Sequence, residues 1–437
     1  MKIQQALFAP GNSAFFFDDQ KAIKQGAARD GFNYLGDPIT PGFERVRVAG
    51  ECISVMLVLE DGQVAVGDCT AVQYSGVGGR DPLFLAATYL PFLRRNIAPL
   101  LDGREVTSFR TLTTWMESLN FRGKRLHTAI RYGLSQALLD ARAKATRRLA
   151  CEVVAEEYDL PMIPRAIPIF GQTGDNRYEN ADKMILKGVD VLPHGLINHV
   201  DDKLGRRGEK LREYIRWLVQ RVAELRPDPD YRPALHLDVY GTIGLAFGGD
   251  LDRIADYLAS LVADAGRLPL YIEGPVDMEE KGRQMEALLG IRTRLRKLGA
   301  PVKIVADEWC NTLEDIRDFT DAGVCDMVQI KTPDLGGIQD TIRSVIYCRE
   351  LGMEAYQGGT CNETDISARA CVQAAMATRP ARLLAKPGMG FDEGYSIVRN
   401  EMERTLRILK ARPKASATAR ARPPAPPPRP SPTALRT

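Results

Sequence analysis

Several features that would commit this chain to a special setting are missing from it. No run of about 18 apolar residues occurs, which excludes a membrane-spanning helix. The start, MKIQQALFAP, has no basic segment followed by an apolar stretch and does not read as a secretory leader. The eight cysteines include no Cys-x-x-Cys pair, so they read as reduced thiols of a cytoplasmic protein rather than as a disulfide framework. Histidine is scarce, with four in 437 residues, at positions 127, 194, 199 and 236. The glycine-rich stretch Gln73 to Arg80 lacks the Gly-Lys-Ser/Thr of a phosphate loop. No repeat recurs at a fixed period. A charge excess is missing too: the net charge is +3, but six basic residues and no acid follow Lys410, so the body of the chain is mildly acidic. Nothing in that balance points to nucleic-acid or membrane partners.

What is present is a sizeable apolar fraction, 44% of 437 residues, enough for a barrel and an accessory domain. The first 160 residues read as an α+β domain. Ile53 to Leu59 is a strand candidate, Glu60-Asp61-Gly62 is a turn, and Gln63 to Asp68 returns, which predicts a hairpin. Residues 82–98, 107–118 and 126–149 have helical spacing. From 161 to 410 short apolar runs alternate with helix-length segments. Eight runs are legible, at 166–170, 189–192, 234–237, 268–272, 302–306, 327–330, 353–356 and 382–385. Eight strands in about 220 residues fit a closed barrel better than an open sheet. Residues 411–437, rich in Pro, Ala and Arg with one Leu as the only large apolar residue, read as a disordered tail.

The chemistry gathers at the ends of these runs. Asp238, Glu273 and Asp307 end three successive strands, 35 and 34 residues apart, one strand–helix unit each. A single acid there is most often a helix cap or a loop residue. Three at equal spacing meet on one rim of a barrel, and three hard oxygen ligands suit Mg²⁺ or Mn²⁺. Lys331 ends the next strand. Lysine at a strand end is usually solvated, but beside a divalent cation its pKa is expected to fall from about 10.4 toward the range of a base. Gln329, two residues earlier, points to the same side and either holds a substrate carboxylate or bonds a neighbouring strand. His194 follows the second strand, where a structural hydrogen bond and an acid–base role opposite Lys331 both stand. Gln172 ends the first strand. Gly358-Gly359-Thr360-Cys361 ends the seventh, where Cys361 reads as a small rim residue rather than a nucleophile, having no histidine near it in sequence.

The segments PIFGQTGDN, LPHGLINHV, HLDVYGTIG, YIEGPVD, VADEWCNT, VQIKTPDLGGI and YQGGTCNETD resemble those of the methylaspartate ammonia-lyase family, within the enolase superfamily. The resemblance runs to about Lys410. It implies a (β/α)₇β TIM-like barrel with an N-terminal α+β capping domain, a homodimer, Mg²⁺ with K⁺ as monovalent activator, and glutamate catabolism through methylaspartate. The implied reaction is reversible elimination of ammonia from L-threo-3-methylaspartate to give mesaconate. Carried over, Asp238, Glu273 and Asp307 would hold Mg²⁺, Lys331 would be the base on C3, and His194 its partner on the opposite face. Gln172, Gln329, Thr360 and Cys361 would contact substrate. The Lys-x-Lys of the racemase and cycloisomerase branches is absent from the second strand, where His194 stands.

Chemistry adds a mechanism. The C3 hydrogen is acidic only through the adjacent carboxylate, and removing it builds a dianionic aci-carboxylate that Mg²⁺, with His194 and Gln329 as donors, would stabilise. The Gln73 loop is expected to close over the pocket and exclude water. Leu384, ending the eighth strand, either walls the region near the amine or is plain barrel core. Two other readings compete: another enolase-type enzyme, such as a dehydratase or cycloisomerase, and a non-catalytic barrel used as a scaffold. A chain stopped at about Lys410 is expected to keep its melting temperature and turnover, because the tail lacks the apolar residues that offset ordering. Scanning calorimetry and steady-state rates check this, and a large drop in either would show that the tail packs or assembles the protein.

Overall fold

In the computed structural model residues 1–412 are described, and most of the expected tail, residues 413–437, lies outside the described residues. The N-terminal part opens with three antiparallel strands, Ile3–Asp18, Arg47–Leu59 and Val64–Cys69, with the second in the middle. The predicted hairpin is the pairing of the last two, with Ile53 opposite Cys69 and Val58 opposite Val64. Ile53, Val55, Leu57 and Leu59 are buried at alternate positions, the period of a sheet with one covered face. The helix Thr128–Thr146 covers that face. Strand and helix touch backbone to backbone at two glycines. A Cβ on Gly67 would stand 2.3 Å from the Gly133 carbonyl, and one on Gly133 would stand 2.4 Å from the Cys69 nitrogen.

The rest is a closed parallel barrel. Its strands, in chain order, are Ile169–Phe170, Val191–His194, Ala234–Asp238, Leu270–Glu273, Val302–Ala306, Met327–Ile330, Glu354–Gln357 and Arg382–Leu384. Each pairs with its sequence neighbour, and the eighth closes on the first. The last strand also has a helix after it, Asp392–Ala411. Phe170, Val191, Tyr271, Val305, Met327, Tyr356 and Leu384 fill the barrel interior. A second and larger core lies between the strands and the outer helices. No helix among the described residues is long and apolar enough to cross a membrane.

All eight expected strands are present, with ends displaced by a few residues. The first is only Ile169–Phe170, since Pro168 has no N–H to give a ladder. The second runs later than expected and ends on His194 itself. The helical stretch expected over 126–149 stops at Thr146, where Arg147 takes a left-handed φ of 55°, and a separate helix follows at Ala150–Glu157. The helix Asp365–Thr378 escapes the periodicity test because small and apolar residues bury it on nearly every side. The C-terminal boundary also shifts. The last helix includes Ala411, and Arg412 pairs with Glu152, so a truncation that spares the fold belongs after Arg412.

The glycine contact carries a stability expectation. Gly67→Ala forces sheet and helix apart and is expected to destabilise by about 1–3 kcal/mol, the usual range for overpacking. The measurement is the urea midpoint at constant slope. An unchanged midpoint would mean that the two backbones separate freely at this contact.

Candidate active site

A cavity of about 650 Å³ opens at the carboxyl ends of the barrel strands, where enzymes of this architecture keep their chemistry. It gathers Gln172, His194, Asp238, Asp307, Gln329 and Lys331 from the barrel strands. Thr360, Cys361 and Leu384 join from the seventh and eighth strand ends, and Gln73 from the N-terminal domain. Glu273 lies beneath, with no exposed surface. Parallel pairing sets the rim: Asp238 and Glu273 are register partners, and Glu273 faces Val305, two residues before Asp307.

Burial dominates the electrostatics of this rim. It raises the pKa of Asp238 and Glu273 well above the carboxylate range, and the charge of the neighbouring acids pushes both further. Asp307 is raised by burial too, less so because Lys331 lies beside it. Lys331 Nζ stands 2.6 Å from Asp307 Oδ1. The expected fall of the lysine pKa depends on a divalent cation beside it, and the protein groups by themselves act in the other direction. Burial alone would lower its pKa, but Asp307 and Glu308 together outweigh burial and hold the ammonium above the ordinary lysine range. Both Glu273 oxygens and Asp307 Oδ1 are buried without an aligned hydrogen-bond donor, although His236 Nε2 comes within 2.9 Å of Glu273 Oε2.

His194 stands closer to the acids than the sequence suggests. Its Nε2 lies 3.5 Å from Asp238 Oδ2. The ligand atoms of His194, Asp238 and Glu273 all fall within 4.8 Å of one another, while Asp307 turns to Lys331. The backbone at His194 is left-handed, with φ 64°. This sparsely populated conformation is one that functional rims retain. Burial brings the imidazole pKa down to about 4.

The amides have settled orientations. Gln73 Nε2 donates to Asp18 at 2.6 Å, and Asp18 takes a two-pronged bond from Arg47 at 2.6 and 2.7 Å. An ionised carboxylate only accepts, so Gln73 turns its oxygen inward, 3.5 Å from Cys361 Sγ. Gln172 Nε2 donates to the Gly388 carbonyl at 2.6 Å. Gln329 has only a long contact to the Tyr356 hydroxyl, 3.4 Å, and its oxygen is buried without a partner. Burial pushes the Cys361 thiol up to about 12, in keeping with a small rim residue rather than a thiolate. Leu384 packs in the barrel interior and also lines the cavity.

Asp18, Arg47, Tyr74, Arg80, Tyr240 and Glu308 also line the cavity and were not singled out from sequence. Glu308 adjoins Asp307, and Lys331 holds its carboxyl below the ordinary range. Its place beside a strand-end acid was a usable signal. Asp18 and Arg47 carried none, because they meet only through pairing of the first two strands.

A closed barrel with acids on three successive strands, a lysine after the next and an α+β cap is a fold of the enolase-superfamily type. The fold is shared with L-Ala-D/L-Glu epimerase from Bacillus subtilis (TM-score 0.61, 15% identity, 90% of this chain and 91% of that one). Sequence models of the methylaspartate ammonia-lyase N-terminus and C-terminus match residues 1–159 and 161–411. Methylaspartate ammonia-lyase from Citrobacter amalonaticus is 63% identical over 412 residues, 94% of this chain and 100% of its own length. The enzyme from Clostridium tetanomorphum is 53% identical over 412 residues, again covering 94% and 100%. The solved Citrobacter amalonaticus structure containing (2S,3S)-3-methylaspartic acid superposes with a TM-score of 0.93 at 64% identity, over 94% of this chain and 100% of that one. A Clostridium tetanomorphum β-methylaspartase structure described as a Mg complex gives 0.91 at 53% identity, over 94% and 99%. The chain belongs to the methylaspartate ammonia-lyase family and is an ammonia-lyase.

The His194 environment makes a pH expectation. Its folded pKa, about 4, lies below the unfolded value near 6.5. The unfolded chain therefore binds the extra proton first, and this group's contribution to stability is lost as pH falls from about 6.5 toward 4. In ¹⁵N spectra the ring is expected to stay neutral at pH 6. An imidazolium signal at that pH would contradict the buried environment.

Proposed function

We propose that the chain eliminates ammonia from L-threo-3-methylaspartate to give mesaconate, reversibly, with Mg²⁺ held by Asp238, Glu273 and Asp307. The observation that carries the metal is the convergence of three buried carboxylates that have one ammonium, Lys331 beside Asp307, and no aligned donor on either Glu273 oxygen. Acidic oxygens out of water need a cation, and oxygen-only ligands fit Mg²⁺, or Mn²⁺, better than a softer ion. His194 also lies near Asp238 and Glu273, but a nitrogen ligand suits Mg²⁺ poorly, which leaves the imidazole for proton chemistry. When bound, Mg²⁺ supplies the positive charge against which the second negative charge of the deprotonated substrate develops.

The residues of the chain do the rest. Asp307, with Glu308, holds the proton on Lys331, so an Asp307 committed elsewhere weakens that hold and moves the buried lysine toward its neutral, basic form. Lys331 Nζ takes the C3 proton. The electron pair of that C–H bond forms the C2–C3 double bond, and the C2–N bond breaks to release ammonia. His194, neutral over the working range, faces the opposite side and takes the proton of the C3 epimer. The unpartnered oxygen of Gln329 marks an amide still free to turn toward a substrate carboxylate. Gln172, Thr360, Cys361 and Gln73 contact substrate, with Leu384 walling the region near the amine. Family membership further supports K⁺ as activator, a homodimer and a cytoplasmic role in glutamate catabolism.

The test is incubation of the full chain with Mg²⁺ and L-threo-3-methylaspartate, following the ultraviolet absorbance of the unsaturated diacid and released ammonia in equal amounts. Asp238→Asn, Glu273→Gln and Asp307→Asn are expected to weaken Mg²⁺ binding with unchanged circular dichroism. Lys331→Ala is expected to lower threo turnover and C3 deuterium wash-in by roughly 10²- to 10⁴-fold. His194→Ala should suppress the C3 epimer most. Normal wash-in by Lys331→Ala would sink the base assignment.

A further inference from the structure

Behind the rim lies a fully buried ionic cluster that the proposed reaction does not use. Lys386 and Glu363 have no exposed surface and pair at 2.8 Å. Lys386 Nζ also donates to the Gly358 carbonyl at 2.7 Å and to the Thr332 hydroxyl at 2.9 Å, so all three ammonium hydrogens have acceptors. Glu363 Oε1 in turn accepts from the Thr332 hydroxyl at 2.7 Å and from the Thr360 N–H at 3.3 Å. Its other oxygen accepts from the Tyr132 hydroxyl at 2.8 Å. The fit leaves no room at Gly359, where a Cβ would stand 2.4 Å from both Lys386 Nζ and Glu363 Oε1.

These bonds join three segments. Thr332 directly follows Lys331. Gly358 and Thr360 flank the bend of the seventh strand-end loop. Tyr132 belongs to the helix Thr128–Thr146 of the N-terminal domain. That helix grips the chain after Lys331 twice more, through Arg131 to Asp340 at 3.0 Å and through Ser135, which accepts the Ile338 N–H at 2.8 Å. Stability alone does not explain an ion pair at this depth, since well-packed apolar residues of similar volume generally serve as well or better. Directional bonds that fix separate segments to one point are what apolar side chains cannot supply.

We infer that Lys386 and Glu363 are positioning residues for the elimination. They hold Lys331, through Thr332, and the Thr360–Cys361 loop in register with each other, and Tyr132 makes that register depend on the seating of the N-terminal domain. This inference rests on Lys331 as base and Thr360 as substrate contact.

The experiment compares two variants of the full chain with the parent, with Mg²⁺ and L-threo-3-methylaspartate. Glu363→Gln/Lys386→Met removes the pair without leaving one charge buried alone, and Tyr132→Phe removes a single hydroxyl. Melting temperature, Mg²⁺ affinity by calorimetry, KM, kcat and C3 deuterium wash-in are read for each. Both variants are expected to melt near the parent and to bind Mg²⁺ equally well. In the double variant kcat and wash-in should fall together by roughly 10- to 100-fold, the scale of a small misplacement of a reacting group. Tyr132→Phe should show a smaller loss in the same two quantities, with little change in KM. A double variant of normal stability with parental kcat and wash-in would make the cluster merely structural and overturn the inference. If the double variant does not fold, Tyr132→Phe decides: parental rates overturn the inference, and lowered rates at parental stability support it. Lys331→Ala, run in parallel, keeps the two readings apart, because retained wash-in there removes the base assignment whatever the cluster does.

Discussion

Three carboxyl groups held out of water at one rim set the terms for this structure. Asp238, Glu273 and Asp307 are each raised by burial, and the repulsion among them raises Asp238 and Glu273 further. Such a group persists only where rigid surroundings prevent the side chains from turning out to solvent. Parallel pairing provides that rigidity, with Asp238 and Glu273 locked as register partners. The layer beneath adds to it. His236 stacks on Phe170 at 4.3 Å, and Arg382, which can only donate, lies 2.9 Å from His236 Nδ1, so the ring proton sits on Nε2, facing Glu273. One cation, Lys331, lies against one acid of the three, Asp238 Oδ1 accepts the Tyr240 N–H at 3.1 Å, and neither Glu273 oxygen has an aligned donor. The site is therefore built to receive positive charge.

The N-terminal domain completes the cavity rather than merely covering it. Its first two strands bring Asp18 and Arg47 together, and that pair orients Gln73 so that its oxygen faces the pocket. Arg80 reaches across to Asp334, three residues after Lys331, at 3.0 Å. Asn362, beside the substrate loop, bonds Ser13 and the Phe16 carbonyl of the first strand. The close backbone contact of Gly67 with Gly133 seats the sheet on the helix that carries Arg131, Tyr132 and Ser135. A shift of that helix would thus reach both the chain after Lys331 and the loop at Glu363.

The sequence by itself determined the barrel, the cap and the residues at the strand ends. A strand buried on both faces reads as a short apolar run, and a parallel barrel repeats strand and helix at a length that the spacing of Asp238, Glu273 and Asp307 reveals. Lys331 and Gln329 followed from the same count, since alternate residues of a strand share a face. A strand end was displaced where a proline lacked its N–H and a helix end where a left-handed residue broke the helix, and the buried helix Asp365–Thr378 had no polar face to show its period. Only the tertiary structure decided what depends on distance between remote segments. It set the proton-holding pair of Lys331 with Asp307, the approach of His194 to Asp238, the orientation of Gln73 by Asp18 and Arg47, and the cluster of Tyr132, Glu363 and Lys386. Charge state follows burial and the nearest opposite charge, and both are properties of packing that no local spacing contains.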